Sequence, residues 1–314
     1  MELSIILVSY NDRRHIEACL SSLQENVPSV EHEIIVVDNA STDGSRELIA
    51  RSFPAVRLIA NADNAGFSRA NNIGAKESRG EFLLFLNTDT VVTPGSIGGW
   101  LDHLGADPSI GAAGPALLRK GGAVQVSFGK KVNFPAQLWQ KLFLNPVYGR
   151  LLKKSAGTRS VGWLSAACLL CRRKAFEQVG GFDENFFIYF EDIDLCLRLR
   201  EAGWKLVYIP GTRIFHEGGA TTAAGAPGFT RGSTSAAKAC PLTSPRRDFS
   251  RYQYRKSQLS FYRKHSPGIS LSLLRASLKV KLVFLFIRGA FRGEEGARLR
   301  RLYRELLRKD PERG

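Results

Sequence analysis

Three acidic residues directly follow an aromatic run in the segment FDENFFIYFEDIDLCLRLREAGW, residues 182–204. They are Glu191, Asp192 and Asp194. Apolar neighbours disfavour the charged form of a carboxylate and raise its pKa, which lets the group take up a proton nearer to neutral pH. Acids also favour the first turn of a helix, where the helix dipole stabilises negative charge. The segment therefore predicts either a capped helix or a reactive site.

A second set of candidate residues lies at the ends of three apolar runs, LSIILVS, EIIVVD and FLLFLN. In an open α/β sheet, ligands bind at the carboxyl ends of the strands. One Asp or Asn at such a position commonly caps the next helix. Here all three ends carry polar groups, and Asp89 precedes β-branched residues rather than a helix start. We expect one crevice formed by Ser9, Tyr10, Asn11, the run Asp38–Asp43, Asn87, Thr88 and Asp89.

The sequence lacks the glycine-rich turns that bind nucleotides in two large classes of protein. No GxGxxG follows the first strand, and no GxxxxGK[ST] occurs where a phosphate loop is expected, which disfavours a dinucleotide or P-loop site. A divalent metal held by oxygen ligands can instead neutralise a diphosphate, and Asn87 and Asp89 suit that role. His216 follows the later run TRIF and could complete the metal site. A lone histidine at a strand end is also compatible with a structural role.

The elements that must position these residues follow an alternating pattern. Short β-branched runs alternate with helical periods in the first hundred residues, which predicts an α/β fold with a mainly parallel sheet flanked by helices. Strands are predicted at 3–9, 33–38, 56–60 and 82–87, and helices near 12–26, 44–52 and 66–77. Further along, 161–173 is predicted as one buried strand, 192–202 as a helix, and WKLVYIP as a strand that Pro210 ends.

The composition is that of a soluble protein. The 314 residues are 44% hydrophobic and 24% charged, enough to form one large core. The five cysteines are scattered, and Cys168 and Cys171 form a single CxxC pair, which is too few ligands for a zinc site. We expect small core residues in a reducing compartment. The start MELSIILVSY has no basic leader, so we recognise no secretory signal and expect a cytoplasmic location.

Positive charge is concentrated at the C-terminal end. Residues 246–313 contain 19 Lys or Arg and 6 Asp or Glu, while the whole chain has a formal charge of +16. Basic helical patterns are predicted over 251–264 and 269–309, separated by Ser266-Pro267-Gly268. They follow a segment rich in Gly, Ala, Ser and Thr, residues 218–244, which we predict to be a mobile loop.

The basic extension, residues 246–314, is predicted to lie on an anionic membrane surface. The apolar runs of its segment 269–291 are too short to span a bilayer, but they alternate with Lys and Arg as in interfacial helices. A helix packed on the preceding domain is the alternative. Nucleic acid is not an expected partner, because no nucleic-acid-binding motif accompanies the charge.

Five blocks of the sequence resemble, in order, the inverting glycosyltransferase family 2, and specifically its rhamnosyltransferase-like bacterial branch. The blocks are SIILVSYN, VVDNASTDGS, NADNAGFSRANNIGAKESRGEFLLFLNTDT, GGFDENFFIYFEDIDLCLRLREAGW and HEGGAT. The resemblance covers about residues 3–222. It implies a GT-A fold over residues 1–245, with a nucleotide-sugar-binding half (1–93) and an acceptor half (94–245).

The resemblance also implies roles for individual residues. Asp192, in the family's ED motif, would be the general base, and Glu191 would orient the acceptor or the base. Asp194 is expected to be structural, because its helical spacing of four residues places it within reach of Arg198. Asp89 would be the metal-binding acid of a DxD-type motif, with His216 as a further ligand. The first position of that motif is Asn87, a neutral and weaker ligand. The nucleotide sugar would be bound by Ser9, Tyr10, Asn11, Asp38, Asn64, Arg69, Asn87, Thr88 and Asp89.

The implied reaction is the transfer of a sugar from a nucleotide-diphosphate donor, dTDP-rhamnose or a UDP-hexose. The acceptor would be a hydroxyl of a cell-surface glycan or a polyprenyl-linked precursor, with Mn²⁺ or Mg²⁺ as cofactor. An enzyme of this kind would be cytoplasmic and peripheral on the inner face of the cell membrane. The competing hypothesis is a non-catalytic GT-A-fold binding protein recruited to the membrane. The presence of both Asp89 and Asp192 favours the enzyme.

Overall fold

The computed structural model describes residues 2–27, 29–119, 121–130, 157–217, 245–289, 301 and 304–307. The predicted loop 218–244 lies outside them. The helices are α1 (Arg13–Asn26), α2 (Ser45–Ser52), α3 (Gly66–Glu77), α4 (Ser96–Ala106), α5 (Arg173–Gln178), α6 (Glu191–Glu201), α7 (Pro245–His265) and α8 (Ile269–Gly289). The strands are β1 (Leu3–Ser9), β2 (His32–Asp38), β3 (Arg57–Ala60), β4 (Phe82–Asn87), β5 (Thr90–Val92), β6 (Ile110–Leu118), β7 (Phe128–Gly129), β8 (Arg159–Ser160), β9 (Trp163–Leu164), β10 (Cys168–Arg172) and β11 (Lys205–His216).

One large sheet organises the described part of the chain, with the strand order β3-β2-β1-β4-β10-β6-β11-β5 and with β8 paired to β11. Strands β1 to β4 run parallel, and β6 and β11 run in the same direction, whereas β10, β5 and β8 run in the opposite direction. All seven residues of β1 are buried, as expected for a strand covered on both faces. The predicted α/β fold with a mainly parallel sheet is confirmed.

Two apolar clusters cover the two faces of this sheet. Alternate side chains of β1 point to opposite faces, so Ile5 packs with Leu20 of α1 in one cluster, and Ile6 packs with Leu195 of α6 in the other. In the second cluster the rings of Phe85 and Phe182 meet edge to face with centroids 5.0 Å apart. This packing fixes the start of the loop that carries the three acids.

Two strand predictions were wrong. The predicted strand 161–173 is two strands, β9 and β10, because a turn at residues 165–167 takes the chain from the β7–β9 pair into the large sheet. Strand β11 does not end at Pro210 but continues to His216. Its register against β6 shifts between Ile209 and Arg213, and such an irregularity accommodates a proline that cannot donate a ladder hydrogen bond.

Helices α7 and α8 pack on the aromatic run that precedes the acids. Phe186 and Phe190 share one buried cluster with Phe261 of α7 and Leu274 of α8. The break at residues 266–268 is confirmed, while α7 begins at Pro245, earlier than predicted. The described part of the basic extension is therefore packed on the domain, as in the alternative above.

Four cysteines are free and buried as expected: Cys19, Cys168, Cys171 and Cys196.

Candidate active site

A cavity of about 610 Å³ opens at the carboxyl ends of β1, β2 and β4, the crevice expected from the strand ends. Its walls come from the strand-end loops, the start of α3, the turn before β10, the loop before α6, the end of β11 and the first half of α7. Its lining residues include Tyr10, Asn39, Asn64, Asn87, Trp163, Ala166, Phe187, Tyr189, Glu191, Asp192, His216, Phe249, Ser250 and Tyr254.

The loops after β1 and β2 interlock at one side of the cavity. Asn11 has a φ of 50° and Ala40 a φ of 61°, so each loop turns sharply at its strand end. The Asn11 side-chain oxygen accepts the backbone N–H of Thr42 at 2.7 Å, and the Asn11 N–H donates to Ser41 Oγ at 2.9 Å. Asn11 thus joins the two loops rather than lining the cavity, whereas its neighbour Tyr10 lines it.

Ser9 and Asp38 lie beneath this wall. Both are fully buried, and neither lines the cavity. Asp38 Oδ2 accepts the Ser41 N–H at 2.9 Å, and burial raises the pKa of the Asp38 carboxyl although the Ser41 hydrogen bonds oppose that shift. Asn39, the next residue, does line the cavity, and its amide nitrogen donates to the Gly66 carbonyl at 3.1 Å. The sequence placed Asn39 in the crevice but assigned it no nucleotide role.

The start of α3 forms the adjoining wall. Asn64 lines the cavity, and its side-chain oxygen accepts the Gly66 N–H at 3.0 Å. Gly66 has a φ of +82°, and an added Cβ would lie 2.7 Å from both the ring and the carbonyl oxygen of Phe187. Glycine is therefore needed for the close approach of the loop before α6. Arg69 is exposed, 3.9 Å from Glu184, and is not among the lining residues.

Asp89 and His216 meet at the edge where β5 pairs with β11. His216 lines the cavity, whereas Asp89, predicted to help form the crevice, is 5% exposed and is not among the lining residues. His216 Nε2 lies 3.3 Å from Asp89 Oδ1, and His216 Nδ1 lies 3.0 Å from Gln125 Oε1. The Gln125 amide nitrogen donates to the His216 carbonyl at 2.5 Å, which orients its oxygen toward Nδ1. Because Gln125 Oε1 accepts this hydrogen bond, His216 Nδ1 carries the ring hydrogen. His216 Nε2 then faces the Asp89 carboxylate oxygen at a distance that suits a shared proton or a cation.

Asn87 and Thr88 face different surroundings. Asn87 lines the cavity, whereas Thr88 is fully buried and its hydroxyl donates to Asp12. Asp12 also binds His15, whose pKa this hydrogen bond raises, and His15 Nε2 lies 3.2 Å from Glu217 Oε2. This network of hydrogen bonds holds the chain in place directly after β4. Asp12 and His15 are neighbours at the start of α1, but nothing local in the sequence links them to Thr88 or Glu217.

Asp192 and Glu191 begin helix α6 and line the cavity. The Asp192 carboxylate accepts the backbone N–H of Ile193 at 2.8 Å and that of Ala166 at 3.3 Å, and burial raises its pKa to about 6. Glu191 is 6% exposed, and its Oε2 has no hydrogen-bond partner among the described residues. Burial and the neighbouring Asp192 raise the pKa of Glu191 well above its usual range.

Asp194 points away from the cavity and binds cations. Its carboxylate lies 2.7 Å from Arg198 Nη2, 2.7 Å from His265 Nε2 and 2.8 Å from Lys264 Nζ. Burial alone would raise the pKa of Asp194, but the His265 hydrogen bond and the Arg198 and Lys264 charges lower it below its usual value. The predicted contact with Arg198 is present, and the two residues of α7 join it.

Backbone hydrogen bonds connect the strand end to the acid. The Asn87 N–H donates to the Ala167 carbonyl at 3.0 Å, and the adjacent Ala166 N–H donates to Asp192. The turn at residues 165–167, which the sequence did not reveal, thus brings two motifs far apart in the chain to one cavity.

Helix α7 supplies a wall that the sequence did not predict. Phe249, Ser250 and Tyr254 line the cavity beside the aromatic run 186–190, and the rings of Phe249 and Tyr254 contact those of Phe187 and Tyr189. The signal available was the group of aromatic residues in an otherwise basic helix, which we attributed to a membrane-facing extension.

Comparisons with known proteins give sequence matches over more than half of the chain. The model of the family described as glycosyl transferase family 2 matches residues 4–180. The N-acetylglucosaminyl-diphospho-decaprenol L-rhamnosyltransferase of Mycobacterium tuberculosis is 34% identical over 236 residues, which cover 68% of this chain and 75% of the relative.

Two solved structures share the fold. GalNAc-T7 with UDP, GalNAc and Mn²⁺ has a TM-score of 0.56 at 19% identity, over 69% of this chain and 44% of that chain. The mannosyltransferase PcManGT of Pyrobaculum calidifontis, in complex with GDP-Man and Mn²⁺, has a TM-score of 0.52 at 17% identity, over 99% of this chain and 81% of that chain. The expected GT-A fold is confirmed.

Proposed function

The chain belongs to glycosyl transferase family 2 and resembles its rhamnosyltransferases, and from that premise we propose that it is an inverting rhamnosyltransferase acting on a lipid-linked acceptor. The acceptor hydroxyl oxygen forms a bond to the anomeric carbon of dTDP-rhamnose as the bond from that carbon to the diphosphate oxygen breaks. The diphosphate leaves with the bonding electron pair. The hydroxyl proton passes to Asp192.

The observation that carries this proposal is that Asp192 and His216 line the same cavity, while His216 contacts Asp89. An inverting transfer needs a proton acceptor on the acceptor side of the sugar and positive charge at the leaving diphosphate on the other side. The cavity offers the Asp192 carboxylate as the proton acceptor. The Asp89–His216 pair would hold a cation that supplies the positive charge.

Asp192 has the environment of a general base. Its two backbone hydrogen bonds hold the carboxylate in a fixed orientation, and its pKa of about 6 leaves it largely ionised at neutral pH yet basic enough to take a proton. Glu191, beside it, has an oxygen with no partner among the described residues. We assign Glu191 to orienting the acceptor hydroxyl, since a buried carboxyl without a partner gains most from a polar ligand.

The residues at the strand edge fit a divalent cation. Asp89 and His216 would hold it through a carboxylate oxygen and an imidazole nitrogen, and Gln125 orients the imidazole from behind. The described residues contain no group of three or more His, Cys, Asp or Glu that could bind a metal, so we assign the remaining ligand positions to the donor diphosphate. When bound, the cation stabilises the charge that develops on the leaving diphosphate.

A lipid-linked acceptor agrees with the surface of α8. One face of the helix is buried through Leu271, Leu274 and Leu278. At 100° per residue, the opposite face is apolar and exposed, and Arg275 and Lys279 flank it. We propose that this face lies on an anionic membrane surface. No described helix is long and apolar enough to cross a bilayer. The outer face comprises Ile269, Leu273, Val280, Val283 and Phe284, each between 45% and 77% exposed.

A nucleotide-sugar screen tests the donor. We expect dTDP-rhamnose, with Mn²⁺, to raise the thermal stability of the protein and to be consumed when a farnesyl-diphosphate-linked N-acetylglucosamine is supplied as acceptor. A donor at about 100 times its dissociation constant adds about 2.7 kcal/mol to the free energy of unfolding. Consumption of a UDP-hexose instead would change the donor assignment. Stabilisation without transfer to any acceptor would favour the non-catalytic binding protein.

A further inference from the structure

The aromatic residues of α7 and of the loop before α6 form one wall of the cavity, which we name the aromatic wall: Phe187, Tyr189, Phe249 and Tyr254. The rings of Tyr189 and Tyr254 meet edge to face with centroids 5.6 Å apart. The rings of Phe187 and Phe249 also meet edge to face, with centroids 6.2 Å apart. All four residues lie outside the range 4–180 that the family model matches.

The backbone of this loop is strained next to the catalytic acids. Tyr189 has a φ of 71° and Phe190 a φ of 67°, values that bulky side chains rarely adopt and that cost about 1–3 kcal/mol each. Helix α7 holds the strained conformation, because Ser257 Oγ donates to the Ile188 carbonyl at 2.7 Å and the Phe190 ring packs on Phe261 at 5.3 Å. Strain of this kind is found at functional sites, where the surroundings maintain it.

The aromatic wall lies on the same side of the cavity as the base. Tyr189 is three residues before Asp192 in the chain, and the Tyr254 ring packs on Phe190, the residue directly before Glu191, with centroids 5.3 Å apart. Tyr10 and Asn39 line a different wall of the cavity, which is formed by the interlocked loops after β1 and β2. Because the base must face the acceptor hydroxyl, the wall beside it bounds the acceptor rather than the donor.

We propose that the aromatic wall is the acceptor subsite and that it binds the pyranose ring which carries the attacking hydroxyl. One face of a pyranose presents C–H groups, which pack on the electron-rich faces of aromatic rings, while the ring hydroxyls point to its edges. Asp192 and Glu191 lie beside the wall to receive such hydroxyls. This inference rests on the proposed function and adds the helix and the aromatic side chains that recognise the acceptor ring.

Variants of α7 test the subsite. Tyr254→Leu and Phe249→Leu keep apolar volume but remove the aromatic face, and Tyr252→Leu is the matched control on the same helix. Tyr252 does not line the cavity. With dTDP-rhamnose and farnesyl-diphosphate-linked N-acetylglucosamine, each wall variant is expected to raise the acceptor KM about 3- to 10-fold and to leave the donor KM within about two-fold. The control should change neither, and thermal melting shows whether each variant is folded.

Calorimetric binding of the same acceptor to each protein, in the presence of dTDP, separates the two proposals. If the wild type transfers rhamnose but both wall variants keep the wild-type acceptor KM, the subsite is wrong and the function stands. If the wild type binds the acceptor without transfer, and the wall variants weaken that binding, the function is wrong and the subsite stands.

A rise confined to the donor KM assigns the wall to the donor and overturns the inference. An unfolded Tyr254→Leu leaves the decision to Phe249→Leu.

Discussion

His216 Nε2 lies 3.3 Å from Asp89 Oδ1, and the antiparallel pairing of β5 with β11 brings these two residues together. The pairing places His216 opposite Thr90, one residue beyond the acid. The contact depends on β11 continuing past Pro210, because a strand that ended there could not reach β5. The irregularity between Ile209 and Arg213 therefore lets β11 continue far enough to bring an imidazole to the carboxylate just beyond β4.

Asp89→Ala is expected to weaken donor binding at least ten-fold and to abolish any stimulation by Mn²⁺, because it removes the one carboxylate of the proposed cation site. Calorimetric titration of dTDP-rhamnose with and without Mn²⁺ measures both effects. Asp102→Ala, at an exposed position of α4, is the control. A donor affinity equal to that of the wild type would show that the cation, if it is required, is held elsewhere.

The rate of transfer is expected to depend on the ionisation of Asp192. The base accepts a proton only as a carboxylate, and burial raises its pKa to about 6. The value of kcat/KM should therefore be flat above that pH and fall about ten-fold for each pH unit below it. A pH–rate profile of the wild type checks this expectation. A profile that stays flat down to pH 4.5 would contradict it.

Asp194→Ala is expected to destabilise the fold by about 1.5–3 kcal/mol, because it removes a fully buried carboxylate from its partly buried hydrogen-bonding partners Arg198, Lys264 and His265. The folded-state pKa of Asp194 is lowered from 3.8, so its stabilisation is present above the unfolded value and is lost as the pH falls through the folded value. Urea unfolding at pH 7 measures the loss, with Glu201→Ala on the same helix as control. A difference below about 1 kcal/mol, as is typical of surface pairs, would count against the role of this cluster.

Val280→Glu and Phe284→Glu are expected to reduce flotation with liposomes that contain anionic lipid, because each places a negative charge on the apolar face of α8. Ser52→Glu, an exposed change of equal charge on α2, should float as the wild type does. Liposomes of neutral lipid should bind the wild type and the three variants weakly. Equal flotation of the four proteins on anionic liposomes would remove α8 as the contact surface.

Local patterns predicted the elements that are buried on both faces. Strands β1 and β4 and helix α3 have the predicted bounds, since continuous apolar runs and a helical period leave little choice of register. The turn at residues 165–167 was missed because long-range bonds hold it, among them Ser165 N–H to the Ser127 carbonyl at 2.8 Å. The continuation of β11 was missed for the same reason, because β6 and β5 supply its partners.

The residues of the site likewise divide into those that the local sequence predicts and those that depend on tertiary packing. At the strand ends, Tyr10, Asn39 and Asn87 line the cavity as predicted, because the carboxyl edge of a parallel sheet brings them together. The predicted residues that lie at the same edge without lining the cavity are Ser9, Asn11, Asp38, Thr88 and Asp89. The role of α7 could not, because a basic helix with aromatic residues fits a membrane surface and a protein surface equally well. The tertiary contacts show which face of α7 meets the loop before α6, among them the packing of Phe261 and Tyr254 on Phe190.

The most direct measurement is a comparison of Asp192→Asn with the wild type in rhamnose transfer to farnesyl-diphosphate-linked N-acetylglucosamine. Binding of dTDP-rhamnose should stay within about two-fold of the wild type, because the asparagine keeps the shape of the side chain. The turnover number should fall about 10²- to 10⁴-fold, as the loss of a general base predicts. The wild-type product should have the anomeric configuration opposite to that of the donor. Turnover by Asp192→Asn near the wild-type rate, or a product that retains the donor configuration, would contradict the account.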